Sequence, residues 1–423
     1  MLAFSLAKTG HAMSGADIRI FKGVLFNPIA TDRVDVYDPG FLVIQGEKII
    51  RVQGANPRPE FPDAEFRDLK EKVLLPGFVD THVHLPQFAI MGAGQGELIT
   101  WLNTYTYPEE ARFADSEYAE KISRAFFDEL VANGTTTAVI YSSVHERATD
   151  IAFSAARSKG IRAFIGKVMM DRNSPESLLE ETNSSVQASM RLFKKWDNTD
   201  GGRLRYVFTP RFAATCSMPL MRNIGRIARE TGAFIQSHLS ENKDEIEWIR
   251  RLFPDAPSYT AVYAEAGLLG ARTIMAHCIH LSSDETALLA EGRVKVAFCP
   301  YSNRTLASGT MPYVRLRDAG LPIALGTDVA GSPSLSMFET MREAVHAAAI
   351  APTEALYLAT AAAAKALGLG DRIGNFEPGK DADFMVADPK VSGAPMDALA
   401  ELCLRGNRSS VVEVYVRGKL MYF

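Results

Sequence analysis

The sequence predicts an α/β protein: a TIM (β/α)8 barrel with a small composite β-sandwich domain built from both termini. Three observations carry this. Through the middle of the chain, short apolar runs alternate with longer helical stretches, the signature of βαβ units and a parallel sheet. Eight such runs occur, at 79–84, 136–141, 163–168, 204–209, 233–238, 273–277, 294–298 and 322–327, and eight units over about 250–300 residues fit one barrel. Most of the runs end on polar residues, which favours a barrel whose loops converge on one mouth over a doubly wound sheet.

Taken in order, residues 18–25 are β-type, and 42–52 read as a hairpin turning at Gly46. Amphipathic stretches such as 116–133 and 220–231 supply barrel helices, and the Ala-rich 360–366 reads as a tightly packed helix. Near the C-terminus, 382–386 and 411–416 are strand-like, and Arg417-Gly418-Lys419 is a turn. Two β-rich ends around a different middle suggest a composite domain of residues 1–72 and 371–423, with the barrel spanning 73–370.

Composition excludes several classes. The 423 residues carry 46 Lys+Arg and 50 Asp+Glu, a net charge of −4 that argues against nucleic acid or an anionic membrane as partner. Four Cys, none in a C-x-x-C pair, make no disulfide framework. No apolar run approaches the roughly 18–20 residues needed to span a bilayer. Residues 1–16 lack the basic and long apolar regions of a signal peptide, so a cytoplasmic location is expected.

His82 and His84 are one residue apart on a strand, so both side chains share a face and Val83 points the other way. Alone, the pair reads equally as two structural polar residues or as a chelate. It is not alone: His82, His84, His238 and His277 all end expected barrel strands, and Asp328 ends the eighth. Strand ends in a barrel meet at one mouth, and three His with one Asp suit zinc, with iron as competitor. Glu241, three residues beyond His238, is placed for acid–base chemistry on a bound water; by itself it reads as a solvated helix-start glutamate among Lys243, Asp244 and Glu245. His11, His145, His280 and His346 read as surface or core residues. Gly374-x4-Gly379-Lys380 mimics a P-loop, but Asp381 replaces the Ser/Thr and a strand follows, so no nucleotide site is expected there. The Gly-rich 92–96 does not fit G-x-G-x-x-G and reads as a mouth loop.

Pro76-Gly77-Phe78-Val79-Asp80-Thr81-His82-Val83-His84, Gln236-Ser237-His238, His277 and Gly326-Thr327-Asp328 together resemble the amidohydrolase superfamily. Gly374-Asn375-Phe376-Glu377-Pro378-Gly379-Lys380-Asp381-Ala382-Asp383 adds to the likeness, which runs from about residue 20 to the C-terminus. Within the superfamily the chain is similar to the guanine-deaminating members. That likeness rests on His84-Leu85-Pro86-Gln87, Trp101-Leu102, Tyr105-Thr106-Tyr107-Pro108, Thr209-Pro210-Arg211-Phe212, residues 236–241, Cys299-Pro300-Tyr301-Ser302-Asn303 and residues 326–331.

The resemblance implies a hydrolase that converts guanine to xanthine and ammonia with a single metal-activated water, in purine catabolism. Its alternative is a deaminase of a related heterocycle of the 8-oxoguanine, pterin or triazine type. A non-catalytic scaffold would have lost ligands, and all are present. Two-metal relatives bridge their ions through a carbamylated Lys at the end of strand four. Here Phe208-Thr209-Pro210-Arg211 holds none and Lys167 ends strand three, so one Zn2+ per chain is expected, with iron as the other possibility. The implied metal ligands are His82, His84, His238 and Asp328. The implied catalytic residues are Glu241 as proton shuttle, His277 orienting the water and Asp328 accepting its proton. Substrate binding falls to His84, Gln87, Arg211, Phe212, His238, Glu241 and Asp328, with Arg211 on the base's carbonyl oxygen, Phe212 stacking and Gln87 on another edge. A homodimer binding a small-molecule purine is implied as well.

Overall fold

The computed structural model describes residues 17–93, 96–391 and 393–423. Residues 1–16, with His11, and residues 94–95 of the Gly-rich loop lie outside the described residues. The described residues open with β1 (Ile18–Ala30), β2 (Arg33–Gln45), β3 (Lys48–Gln53) and β4 (Glu65–Pro76). Gly77 then leads into the barrel strands β5 (Phe78–His84), β6 (Thr135–Tyr141), β7 (Arg162–Gly166), the two-residue β8 (Val168–Met169), β9 (Leu204–Pro210), β10 (Phe234–Leu239), β11 (Thr273–His277), β12 (Lys295–Phe298) and β13 (Ile323–Leu325). The last three, β14 (Phe384–Ala387), β15 (Val411–Val416) and β16 (Lys419–Tyr422), rejoin the first four in a seven-stranded sheet ordered β16-β15-β14-β4-β1-β2-β3. That sheet is mixed, with β1 and β4 parallel and its other pairs antiparallel.

All eight expected barrel strands are present, parallel and paired in chain order. Each sends an apolar side chain into one inner cluster: Val79, Val139, Phe164, Val207, Phe234, Ile274, Ala297 and Ala324. Helix Ala361–Ala366 follows the Ala-rich stretch and plugs that cluster with Ala363 and Ala364, whose small side chains allow the close approach. The ring closes between β13 and β5 without a regular ladder. Thr81 Oγ1 donates to the Leu325 carbonyl at 2.8 Å, and the Asp328 N–H donates to the His82 carbonyl at 2.9 Å.

The sheet is larger than its sequence suggests, for two physical reasons. Asp38-Pro39-Gly40 lies within β2 where the pairing slips between Gly23↔Gly40 and Leu25↔Tyr37, and a bulge tolerates a proline that a regular ladder would not. The charged first half of β4 hides it from a hydrophobic pattern, but Leu74 and Leu75 are fully buried against β14. The P-loop mimic is a structural turn. Gly379 N–H donates to the Ile49 carbonyl at 2.8 Å, and Lys380 pairs with Glu377 at 3.1 Å and also bonds Asn375. Among the described residues no helix is long and apolar enough to cross a membrane.

Candidate active site

Strand β5 delivers two imidazoles to the barrel mouth because alternate residues face inward. Val83 packs into the outer core, while His82 and His84 are buried facing the interior. His238 at the end of β10 meets them: the Nε2 atoms of His84 and His238 are 3.2 Å apart. Asp328, just past β13, brings Oδ1 within 3.2 Å of His82 Nε2 and 3.5 Å of His84 Nε2. One ligand atom from each of His82, His84 and His238 lies within 4.8 Å of the others.

These residues fit a metal. Two nitrogens bound tetrahedrally at about 2.1 Å would stand roughly 3.4 Å apart, close to the His84–His238 spacing. His238 Nδ1 donates to the Arg211 carbonyl at 2.7 Å, which leaves the Nε2 lone pair free. His82 Nε2 is buried and makes no hydrogen bond, yet faces Asp328 Oδ1 at 3.2 Å, as two ligands of one ion would. Burial pushes all three imidazoles below their usual pKa, toward the neutral form a metal requires. Burial alone would raise Asp328, but His82, His277 and His84 around it hold it well below the usual carboxylate range. Asp80 braces the pair from beneath: Oδ1 accepts from the N–H groups of His82 (3.1 Å) and Thr327 (3.0 Å), and Oδ2 from Thr327 Oγ1.

Glu241 and Glu245 are both buried, so the charged run that reads as a solvated helix start faces inward at these two positions. Glu241 Oε2 lies 3.3 Å from His277 Nε2, and its Oε1 accepts from Ser308 Oγ at 3.1 Å. Burial pushes the Glu241 carboxyl up to about 7. His277 donates through Nδ1 to Asn303 Oδ1 at 2.9 Å and stands 3.8 Å from Asp328. Burial disfavours its charge, but Glu241 and Asp328 outweigh that and raise it. His277 (φ 70°) and Asp328 (φ 53°) occupy the left-handed region that residues with a Cβ rarely adopt. Such conformations persist where surrounding structure enforces them, and here they aim two side chains into the mouth.

A cavity opens over this cluster, lined among others by Gln87, Trp101, Arg211, Phe212, Leu306 and Gly331. Arg211 and Phe212 follow β9 directly. Arg211 is buried and donates through Nη1 to Glu110 Oε2 at 2.6 Å. Gln87 donates to the other oxygen of Glu110 at 3.0 Å. Thus every expected site residue reaches one mouth. Lys167, by contrast, is buried away from it in an ion pair with Glu180 at 2.5 Å. His346 is exposed, His145 is half-buried, and His280 bonds the Ser308 carbonyl at 2.7 Å.

Sequence reasoning did not single out Glu110, Asn303, Ser308 or Asp80 for any role. Glu110 follows Pro108-Glu109 at the start of a short helix, where a carboxylate ordinarily serves the helix dipole in water. Asn303 and Asp80 sit inside the quoted motifs, and that position was the one available signal. The pattern of the Amidohydrolase family matches residues 73–421. The guanine deaminase of Escherichia coli (strain K12) is 39% identical over 404 residues, covering 92% of both chains. That of Dictyostelium discoideum is 32% identical, covering 96% of this chain and 98% of that protein. Among solved structures, a C. acetobutylicum guanine deaminase with bound guanine in the active site has a TM-score of 0.91 at 30% identity, covering 96% of this chain and 100% of that one.

Proposed function

The chain belongs to the amidohydrolase family, and from that premise we propose that it is a guanine deaminase, hydrolysing guanine to xanthine and ammonia. The observation that carries this is one mouth where a three-imidazole cluster with Asp328, a Glu241–His277 pair and the Arg211, Gln87 and Phe212 side chains meet.

We assign one metal per chain to His82, His84, His238 and Asp328, and favour zinc over iron for this nitrogen and oxygen donor set. When bound, the ion would lower the pKa of a water from about 15.7 toward ~7 and so supply hydroxide at neutral pH. Asp328 is placed to take the proton that the attacking water releases. His277, held through Nδ1 by Asn303, directs Nε2 between Glu241 and Asp328 and orients that water. Glu241, with its carboxyl pushed up to about 7, can hold a proton at neutral pH. It gives that proton to the ring nitrogen beside the attacked carbon, takes up the hydroxyl proton shed as the carbonyl forms and passes it to the leaving amine; the proton held by Asp328 then restores Glu241. Water adds, the exocyclic C–N bond breaks, ammonia departs and a carbonyl remains.

Arg211 directs donors at the guanine carbonyl oxygen, Gln87 offers a donor and an acceptor to another edge, and Phe212 gives a face for stacking. Adenine carries an amino group where guanine has that carbonyl, so donor would meet donor. Glu110 already balances Arg211, so the penalty is an unpartnered hydrogen bond rather than a bare buried charge.

We also read the protein as a cytoplasmic homodimer serving purine catabolism. The family likeness supports the dimer, and four buried free cysteines suit a reducing compartment. We keep the division of the chain into a composite domain from both ends and a barrel between them, on the pairing of β1–β4 with β14–β16, although β4 carries that sheet on to Pro76, four residues past the expected boundary at 72. The test is ammonia release across aminated purines, pterins and triazines. Guanine should be turned over best; a chain inert on guanine yet active on 8-oxoguanine, a pterin or a triazine would overturn the substrate.

A further inference from the structure

Glu110 is fully buried, and its two oxygens hold the two side chains that offer polar groups to the purine edges. Oε1 accepts from Gln87 Nε2 at 3.0 Å, and Oε2 accepts from Arg211 Nη1 at 2.6 Å. The Ala330 N–H donates to Gln87 Oε1 at 3.0 Å. Both ends of the Gln87 amide are therefore committed, and its orientation is unique. One N–H and one lone pair remain for a ligand. Tyr107, on the same short helix as Glu110, places its ring 5.3 Å from the Arg211 guanidinium, so that helix grips Arg211 twice.

The electrostatic consequence goes beyond positioning. A guanidinium stays protonated in proteins, and a buried one without a counter-charge is a strong anion-binding group. Among the described residues, Glu110 is the only carboxylate in ion-pair contact with Arg211. We propose that Glu110 is the positioning residue that sets the ligand class of this site. By neutralising Arg211 it suits the cavity to a neutral, carbonyl-bearing heterocycle and turns it against anionic ones, including the deprotonated product. This rests on the purine reading above.

Glu110→Gln keeps the size of the side chain and removes its charge. The probes are urate, an anion at neutral pH, and hypoxanthine, a neutral purine with no amine to lose, each measured by equilibrium binding. In Glu110→Gln the ratio of urate to hypoxanthine affinity should rise roughly tenfold or more over wild type. KM for guanine should rise by a similar factor with kcat falling less, and one metal per chain should remain. Glu110→Asp, which keeps the charge, should move the ratio back toward wild type. An unchanged ratio in a folded, metal-loaded variant overturns the proposal, as does equal weakening of both ligands. Should Glu110→Gln fail to fold, the double variant Glu110→Gln/Arg211→Met decides. Recovery of folding on removing both charges supports charge balance, and failure to recover overturns it in favour of packing. Failure of the purine reading shows separately, as wild-type protein that binds neither probe and releases no ammonia from guanine.

Discussion

Gly326 lies against His82 with no room for a methyl group between them. A Cβ on Gly326 would fall 2.8 Å from His82 Cβ and 3.0 Å from its main-chain nitrogen. This contact sits where β13 and β5 close the barrel without a ladder, two residues before Asp328. The absence of one side chain thus sets the distance between strands that carry His82 and Asp328, which meet at 3.2 Å.

Gly326→Ala should therefore force the two strands apart. We expect a stability loss of about 1–3 kcal/mol, the usual cost of overpacking, together with reduced metal content. Elemental analysis beside a thermal melt checks this; full metal occupancy at an unchanged Tm would mean the closure yields freely.

Removing both imidazoles of β5 tests the ligand set. His82→Ala/His84→Ala should fold yet retain no tightly bound metal, because two of four donors are gone. One equivalent of metal surviving extensive dialysis would reject the assignment.

Glu241→Gln should keep the metal and lose roughly 10²–10⁴-fold in kcat. Its stability should also respond to pH in a determined direction. The wild-type carboxyl titrates near 4.5 when unfolded and at about 7 in the fold, so the folded state binds the proton more tightly. The proton's stabilisation is fully present below about 4.5 and is lost as pH rises to about 7. Gln never carries that charge, so the variant should gain on wild type by on the order of 1–3 kcal/mol above pH ~7, and less toward pH ~5. A Tm difference that does not vary with pH would contradict the buried environment of Glu241.

Arg211→Ala should raise KM and lower kcat/KM for guanine while leaving metal content unchanged. It should also destabilise the fold by about 3–5 kcal/mol, because Glu110 is left buried without its cation. Urea melts and steady-state kinetics separate the two effects. A variant with normal KM would remove Arg211 from the substrate's edge.

The sequence by itself determined the parts of this protein that obey a local period. Eight apolar runs separated by helical stretches specify eight parallel strands, because both faces of such strands are buried. His82-Val83-His84 specifies two imidazoles on one face, because a strand alternates. The tertiary structure decided what depends on distance between segments far apart in the chain. Glu241 becomes a group with a pKa of about 7 only when β10, β11 and the loop bearing Ser308 exclude water from it. Glu110, indistinguishable in sequence from a solvated helix-start acid, becomes the counter-charge of Arg211 101 residues away because packing removes both from water. A desolvated charge must find its partner nearby in space, and chain order carries no record of which partner that is.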